Sequence, residues 1–182
     1  SGRYIESTIM NVATASPYGL DGLTAVVTGA AQGLGLGIAE RLAGQGALVV
    51  MADLQAEKVE ASAKDLNDKG LNVSSMQLDI TDSACVNDFF SDVASQRGRL
   101  DILVNNAGIL RDKSFVKLSP EELEIVIDVH LKGAFYVSQP AFRVMKERSY
   151  GRFVHTTSAA GRIAHPPGGG GQEAENQPRH QG

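Results

Sequence analysis

The chain is poor in cysteine, in clustered positive charge and in long apolar runs, and each shortage excludes something. Cys85 is the only cysteine, so no intrachain disulfide can form and a reducing, cytoplasmic compartment is the expectation. It lies in an amphipathic stretch with no partner base nearby, which reads as a half-buried structural thiol rather than a nucleophile. Net charge is −4 and no basic block occurs, so neither nucleic acid nor an anionic membrane is an expected partner. The longest apolar runs, such as Ala47 to Ala52, fall far short of the roughly 20 residues that span a bilayer. A length of 182 residues suits one domain with a real core.

What is present is a regular alternation of two patterns. Short apolar runs predict strands at Thr24 to Thr28, Ala47 to Met51, Asn72 to Leu78, Leu100 to Val104 and Arg152 to Thr156. Between them, apolar residues at helical spacing predict helices over Leu34 to Gln45 and Gln55 to Lys69, with Gly46 and Gly70 as their stops. The next helix carries Val86, Phe89, Phe90, Val93 and Ala94 on one face. Ser119, Pro120 and Glu122 form a capping-box helix start, and a long helix is predicted from about Val129 to Arg148 with Pro140 as a candidate kink. Strands joined by crossover-length helices require a parallel sheet, so the fold class is α/β, a Rossmann-type doubly wound sheet.

The two ends read differently. Residues 1–19 lack periodicity and are expected to be a flexible leader, with Met10 as a candidate start; residues 20–162 form the domain. Residues 163–182 hold consecutive glycines and prolines and almost nothing apolar, so a disordered tail is expected and the domain breaks off after its fifth strand.

Four features fall where a nucleotide site needs them. After the first strand comes Thr28-Gly29-Ala30-Ala31-Gln32-Gly33-Leu34-Gly35. Such a turn lets backbone N–H groups approach a phosphate, and the following helix offers its unpaired N–H groups to the negative charge. A turn whose glycines serve packing alone is the competing reading. Asp53 follows the second strand, 18 residues past Gly35. A carboxylate there accepts hydrogen bonds from ribose hydroxyls and repels a 2′-phosphate, which favours NAD(H) over NADP(H); a helix-capping role fits the same position. Asp79-Ile80 follows the third strand, and Asn105-Asn106-Ala107-Gly108 the fourth.

The glycine pattern followed by Asn105 to Gly108, with Val129-His130-Leu131-Lys132-Gly133-Ala134-Phe135 and then Gly151 to Gly161, resembles the classical short-chain dehydrogenase/reductases over about Leu20 to Arg162. The resemblance implies strand order 3-2-1-4-5 with two further strands. It also implies NAD(P)-dependent oxidation of an alcohol or reduction of a ketone, and a homo-oligomeric parent enzyme. It places Thr28, Gly29, Gln32, Gly33, Leu34 and Gly35 at the phosphate turn, Asp53 at the ribose, and Asp79 and Ile80 beside the adenine. Asn105, Ala107 and Gly108 match the motif that closes the cofactor site. Ser158 matches the catalytic serine that polarises the substrate oxygen.

Two departures from the family stand out. His130 occupies the position of an asparagine that holds a relay water, and the stretch around it is similar to the 3-hydroxyacyl-CoA dehydrogenase units of multifunctional enzymes. Two roles stay open for it, proton relay and structure. The family's Tyr-x3-Lys is missing. Tyr4, Tyr18, Tyr136 and Tyr150 are followed four residues on by Thr8, Gly22, Pro140 and Val154, never by lysine. The expectation is therefore a dehydrogenase whose reading frame is lost after about Arg162 and which turns over little. The alternative is a non-enzymatic NAD(H)-binding or interaction fragment. Substrate identity stays open, with a hydroxyacyl thioester ahead on His130 alone.

Overall fold

The computed structural model describes residues 19–110 and 115–157. The expectations for the leader, for Ser158 and for the tail of residues 163–182 lie outside the described residues. The elements alternate as β1 (Thr24–Thr28), α1 (Gly33–Ala43), β2 (Leu48–Asp53), α2 (Ala56–Asp68), β3 (Val73–Gln77), α3 (Ser83–Arg97), β4 (Ile102–Asn105), α4 (Pro120–Ile127), α5 (Ala134–Glu147) and β5 (Arg152–His155). The five strands form one sheet in the order β3-β2-β1-β4-β5, and every pairing is parallel. This is the Rossmann-type α/β arrangement that the alternation requires. Among the described residues no helix is long and apolar enough to cross a membrane.

The continuous apolar strands are explained by burial on both faces. Successive side chains point to opposite sides of the sheet. Val27, Val49, Met51 and Val104 pack with Ala39, Val59 and Leu66 of α1 and α2. Val26, Val50 and Leu103 face Val86, Phe89, Phe90 and Val93 of α3 and Val137, Ala141 and Met145 of α5. Cys85 is half-buried at the edge of the second cluster. At the far end of the sheet Asp101, fully buried, accepts from Thr24 N at 2.8 Å. It also pairs with the Arg99 guanidinium at 2.6 and 2.8 Å, which joins β1 and β4 below the core.

The structure shifts several expected boundaries. β2 runs on to Asp53, which pairs with Gln77, so this carboxylate ends the strand rather than following it. The capping box at Ser119 is formed: its Oγ accepts from Glu122 N, while Glu122 Oε2 accepts from Ser119 N. Helix therefore begins at Pro120, where the capping box predicts it, whereas α5 begins at Ala134 instead of about Val129. The helix from Pro120 passes through a π-helical turn, Asp128–Gly133, into α5. α5 continues through Pro140 as one helix, so the irregularity lies upstream of the proline. A Cβ on Gly133 would sit 2.7 Å from Ile80 Cδ1, which shows how closely the π turn approaches the end of β3.

Candidate functional site

The sheet reverses direction of winding between β1 and β4, and the crevice at the carboxyl ends of these strands is where open α/β sheets bind ligands. A cavity of about 670 Å³ lies there. It is walled by Gly29 and Leu34 on the glycine turn, Asp53 at the end of β2, Asp79 after β3, and Asn106 and Gly108 after β4. Its size suits a small-molecule or cofactor ligand.

The glycine turn is shaped by two close approaches. Gly29 adopts φ +65°, and a Cβ there would stand 2.8 Å from Ala107 Cα. A Cβ on Gly35 would stand 2.1 Å from the Gly29 carbonyl oxygen, so only glycine lets the first turn of α1 rest on the loop. Gln32 precedes α1 with extended backbone, and no side chain caps the helix. Its first N–H groups and positive dipole end are therefore left for an anion. Gln32, Leu34 and Gly35 line the cavity, whereas Gly33 is not among its walls.

Asp53 is shared between two tasks. Its Oδ2 accepts from Ala31 N at 3.0 Å and its Oδ1 from Gln55 N at 3.0 Å. The second bond closes an Asx-type turn into α2. Each oxygen keeps a further lone pair, and the carboxylate forms part of the cavity wall. Ala30 N donates to Ala52 O and Ser62 Oγ to Ala31 O, so β2 and α2 hold the glycine turn in place. From α2, Lys58 Nζ donates to Gln32 Oε1. On the neighbouring strand end, Asp79 Oδ1 accepts from both the N–H and the hydroxyl of Thr81, and Asp79 and Ile80 both reach the cavity.

The Asn105 to Gly108 stretch divides its labour. Asn105 turns away from the cavity, toward α5, and donates from Nδ2 to Ser138 Oγ. Asn106 lines the cavity instead, and its Nδ2 donates to the carbonyls of Thr28 and Gly29 at 3.1 and 3.3 Å. The signal for this was strand alternation: Asn105 shares a face with Leu103, which packs toward α5, so Asn106 must point the other way. Thr28 is fully buried and does not touch the cavity. Its Oγ1 accepts from Asn106 N and Ala107 N, both at 3.0 Å, and donates to Val104 O. It is the tie that holds the loop. Leu54, Gln55, Thr81, Ile109, Ile125 and Val129 also line the cavity, and no local motif singles them out.

His130 sits in the π turn beside the loop. Its Nε2 lies 2.9 Å from Ile109 O and 3.2 Å from Ile109 N. A Cβ on Gly108 would come within 2.8 Å of its Cε1. The ring thus braces the Gly108–Ile109 backbone at the rim of the cavity. Ser158 lies outside the described residues.

Comparison with known proteins agrees with this geometry. The short chain dehydrogenase family model matches residues 23–169. The chain is 35% identical over 143 residues to 3-oxoacyl-[acyl-carrier-protein] reductase FabG of Aquifex aeolicus, covering 78% of this chain and 58% of that protein. It is 39% identical over 160 residues to peroxisomal multifunctional enzyme type 2 of Mus musculus, covering 81% of this chain and 21% of the relative. The crystal structure of gox2181 superposes with a TM-score of 0.79 at 35% identity, covering 81% of this chain and 58% of that one. The chain thus spans about three-fifths, 58%, of the length of the first curated relatives it matches. A parallel sheet in the order β3-β2-β1-β4-β5, a glycine turn at its switch point and the family match together establish that this chain belongs to the short-chain dehydrogenase family, oxidoreductases that use a nicotinamide cofactor.

Proposed function

We propose that the cavity is an NAD(H) site and that the chain is the cofactor-binding part of a dehydrogenase for secondary alcohols or their ketones. The observation that carries this is the convergence of the uncapped start of α1 with the Asp53 carboxylate on one cavity. The N–H groups of the turn suit a pyrophosphate, and the free lone pairs of Asp53 suit a ribose diol. A 2′-phosphate would meet that carboxylate at close range, so NAD(H) is preferred over NADP(H). Asp79 and Ile80 form the adenine end, and Ala107 and Gly108 the end nearer the nicotinamide. The cofactor, when bound, supplies the hydride acceptor or donor.

In this reading Thr28, Gly33 and Asn105 support the site from outside the cavity wall. His130 positions the loop through Ile109, and Ser158 is the hydroxyl that polarises the substrate oxygen. No tyrosine in the sequence is followed by lysine four residues later. The 182-residue chain is therefore expected to bind cofactor with little or no turnover. The 3-hydroxyacyl thioesters are the substrate class to assay first, since the Aquifex relative is named a 3-oxoacyl-[acyl-carrier-protein] reductase. A fluorescence titration of the purified chain with NADH and NADPH tests the reading. Saturable NADH binding, at least tenfold tighter than NADPH and lost from that preference in Asp53→Ala, is expected, a factor of ten being about 1.4 kcal/mol. Equal affinity for the two, or no binding by a cooperatively folded chain, would overturn it. A clear dehydrogenase rate would sink the inactive reading.

A further inference from the structure

Behind one corner of the cavity stands a cation to which the cofactor reading gives no task. Gln32, Asp53, Leu54 and Gln55 form the corner, and Lys58 of α2 reaches it through Gln32. Three contacts fall there on two successive residues of the glycine turn. Asp53 Oδ2 accepts from Ala31 N at 3.0 Å, Ser62 Oγ donates to Ala31 O at 2.8 Å, and Lys58 Nζ donates to Gln32 Oε1. Carboxylate and ammonium are thus anchored one residue apart on the same stretch of backbone.

The bonded partner of Lys58 carries no charge, which sets this lysine apart. Lys64, Lys69 and Lys132 pair with the carboxylates of Asp68, Glu40 and Asp128. The residues three and four away from Lys58, the positions that share its face of the helix, are Leu54, Gln55, Ala61 and Ser62. None is acidic. Two of them line the cavity and Ser62 bonds to the glycine turn, so this is the face of α2 that looks toward the site. The Lys58 side chain is exposed, and its flexible four-carbon stem lets the ammonium change partners at little cost. An anion within reach offers it Coulombic attraction that the Gln32 amide does not.

We infer that Lys58 is a specificity-determining residue: it offsets part of the repulsion that Asp53 exerts on a 2′-phosphate, by leaving Gln32 for that phosphate. The inference rests on the cavity being the cofactor site with the ribose diol at Asp53. A phosphate on the 2′ oxygen then lies beside Asp53, at the corner that Lys58 reaches through Gln32. NAD(H) has an uncharged hydroxyl at that position, so with it Lys58 stays on the amide. The preference for NAD(H) is accordingly a difference between two opposed charges rather than a property of Asp53 alone. Removing the ammonium deepens the refusal of NADP(H).

The test is a set of NADH and NADPH titrations of the 182-residue chain, of Lys58→Met, which keeps most of the stem, and of Lys58→Arg. Each is run at about 0.05 M and about 0.5 M salt, since exposed charges are screened at the higher concentration. At low salt the ratio of NADPH to NADH affinity should fall roughly fivefold in Lys58→Met, the weight of an exposed ion pair. Lys58→Arg should keep the wild-type ratio, and at high salt the gap between Lys58→Met and the wild-type chain should close. The same pair of measurements in an Asp53→Ala background, where NADPH meets no carboxylate, should show the same fall and keeps the ratio measurable if wild-type NADPH binding is too weak. An unchanged ratio, a fall that salt does not diminish, or equal losses of both cofactors overturns the inference, the last by reducing Lys58 to a support for Gln32. NADH binding with an unchanged ratio sinks the inference alone. If a cooperatively folded wild-type chain binds neither cofactor, the cofactor reading fails and the inference falls with it.

Discussion

Replacing Thr28 by valine is the sharpest probe of how the site is held. The two side chains are nearly isosteric and both favour strands, so packing at the end of β1 changes little. The hydroxyl is what is lost. It accepts from Asn106 N and Ala107 N at 3.0 Å each and donates to Val104 O at 3.3 Å, at a residue 1% exposed. A buried polar group stripped of its partner costs about 1–3 kcal/mol. The two N–H donors are only half-buried, so the lower part of that range applies to each, and the total for Thr28→Val is about 2–4 kcal/mol. With a urea m-value of about 2 kcal/mol/M, the midpoint falls by about 1–2 M. Thr28→Ser keeps the hydroxyl and removes one buried methyl, costing about 1 kcal/mol. Urea unfolding of both variants, followed by circular dichroism, separates bond from bulk, and NADH affinity should drop with the valine alone. A valine variant as stable as the serine one would refute the claim that this hydroxyl holds the loop.

Gly35→Ala should destabilise by about 3 kcal/mol or more, because its Cβ would overlap the Gly29 carbonyl oxygen at 2.1 Å. Gly37→Ala, one half-turn along the same helix with nothing within 4 Å of the new Cβ, should stabilise by about 0.5–1 kcal/mol; thermal melts showing the same sign for both would contradict the geometry. Arg99→Ala leaves the Asp101 carboxylate, 1% exposed, with Thr24 N. Since Arg99 is itself 34% exposed, the loss is discounted to about 2 kcal/mol, and an unchanged urea midpoint would show the pair to be inert. The Ser119 hydroxyl, followed by a backbone N–H, holds the Glu121 carboxyl below the usual carboxylate range. A carboxyl depressed by folding adds stability that is complete above its unfolded value and is lost as the pH falls through its folded value. Acid titration of stability should therefore be shallower in Ser119→Ala than in the wild-type chain, and equal slopes would count against the bond.

Much of the fold was written locally. The alternation of apolar runs and helical faces, the capping box at Ser119 and the glycine stops at Gly46 and Gly70 each need only neighbouring residues, and all lie where the pattern puts them to within a few positions. Family resemblance supplied the strand order, which the sheet bears out. The glycine turn was legible too, because its conformation is a property of the residues in it. The arrangement of the site belongs to tertiary structure. Which asparagine faces the cavity depends on where β4 ends in the sheet, and Asn105 and Asn106 are told apart only by that phase. Thr28 acts on a loop 78 residues away, and His130 braces a backbone 21 residues away. The π turn that brings Gly133 against Ile80 breaks the helical period from which the region was read. A one-dimensional pattern encodes which face a side chain takes along its own element. The partner that satisfies a buried hydroxyl or amide is chosen only when distant elements meet, because the cost of leaving it unpaired arises when water is excluded.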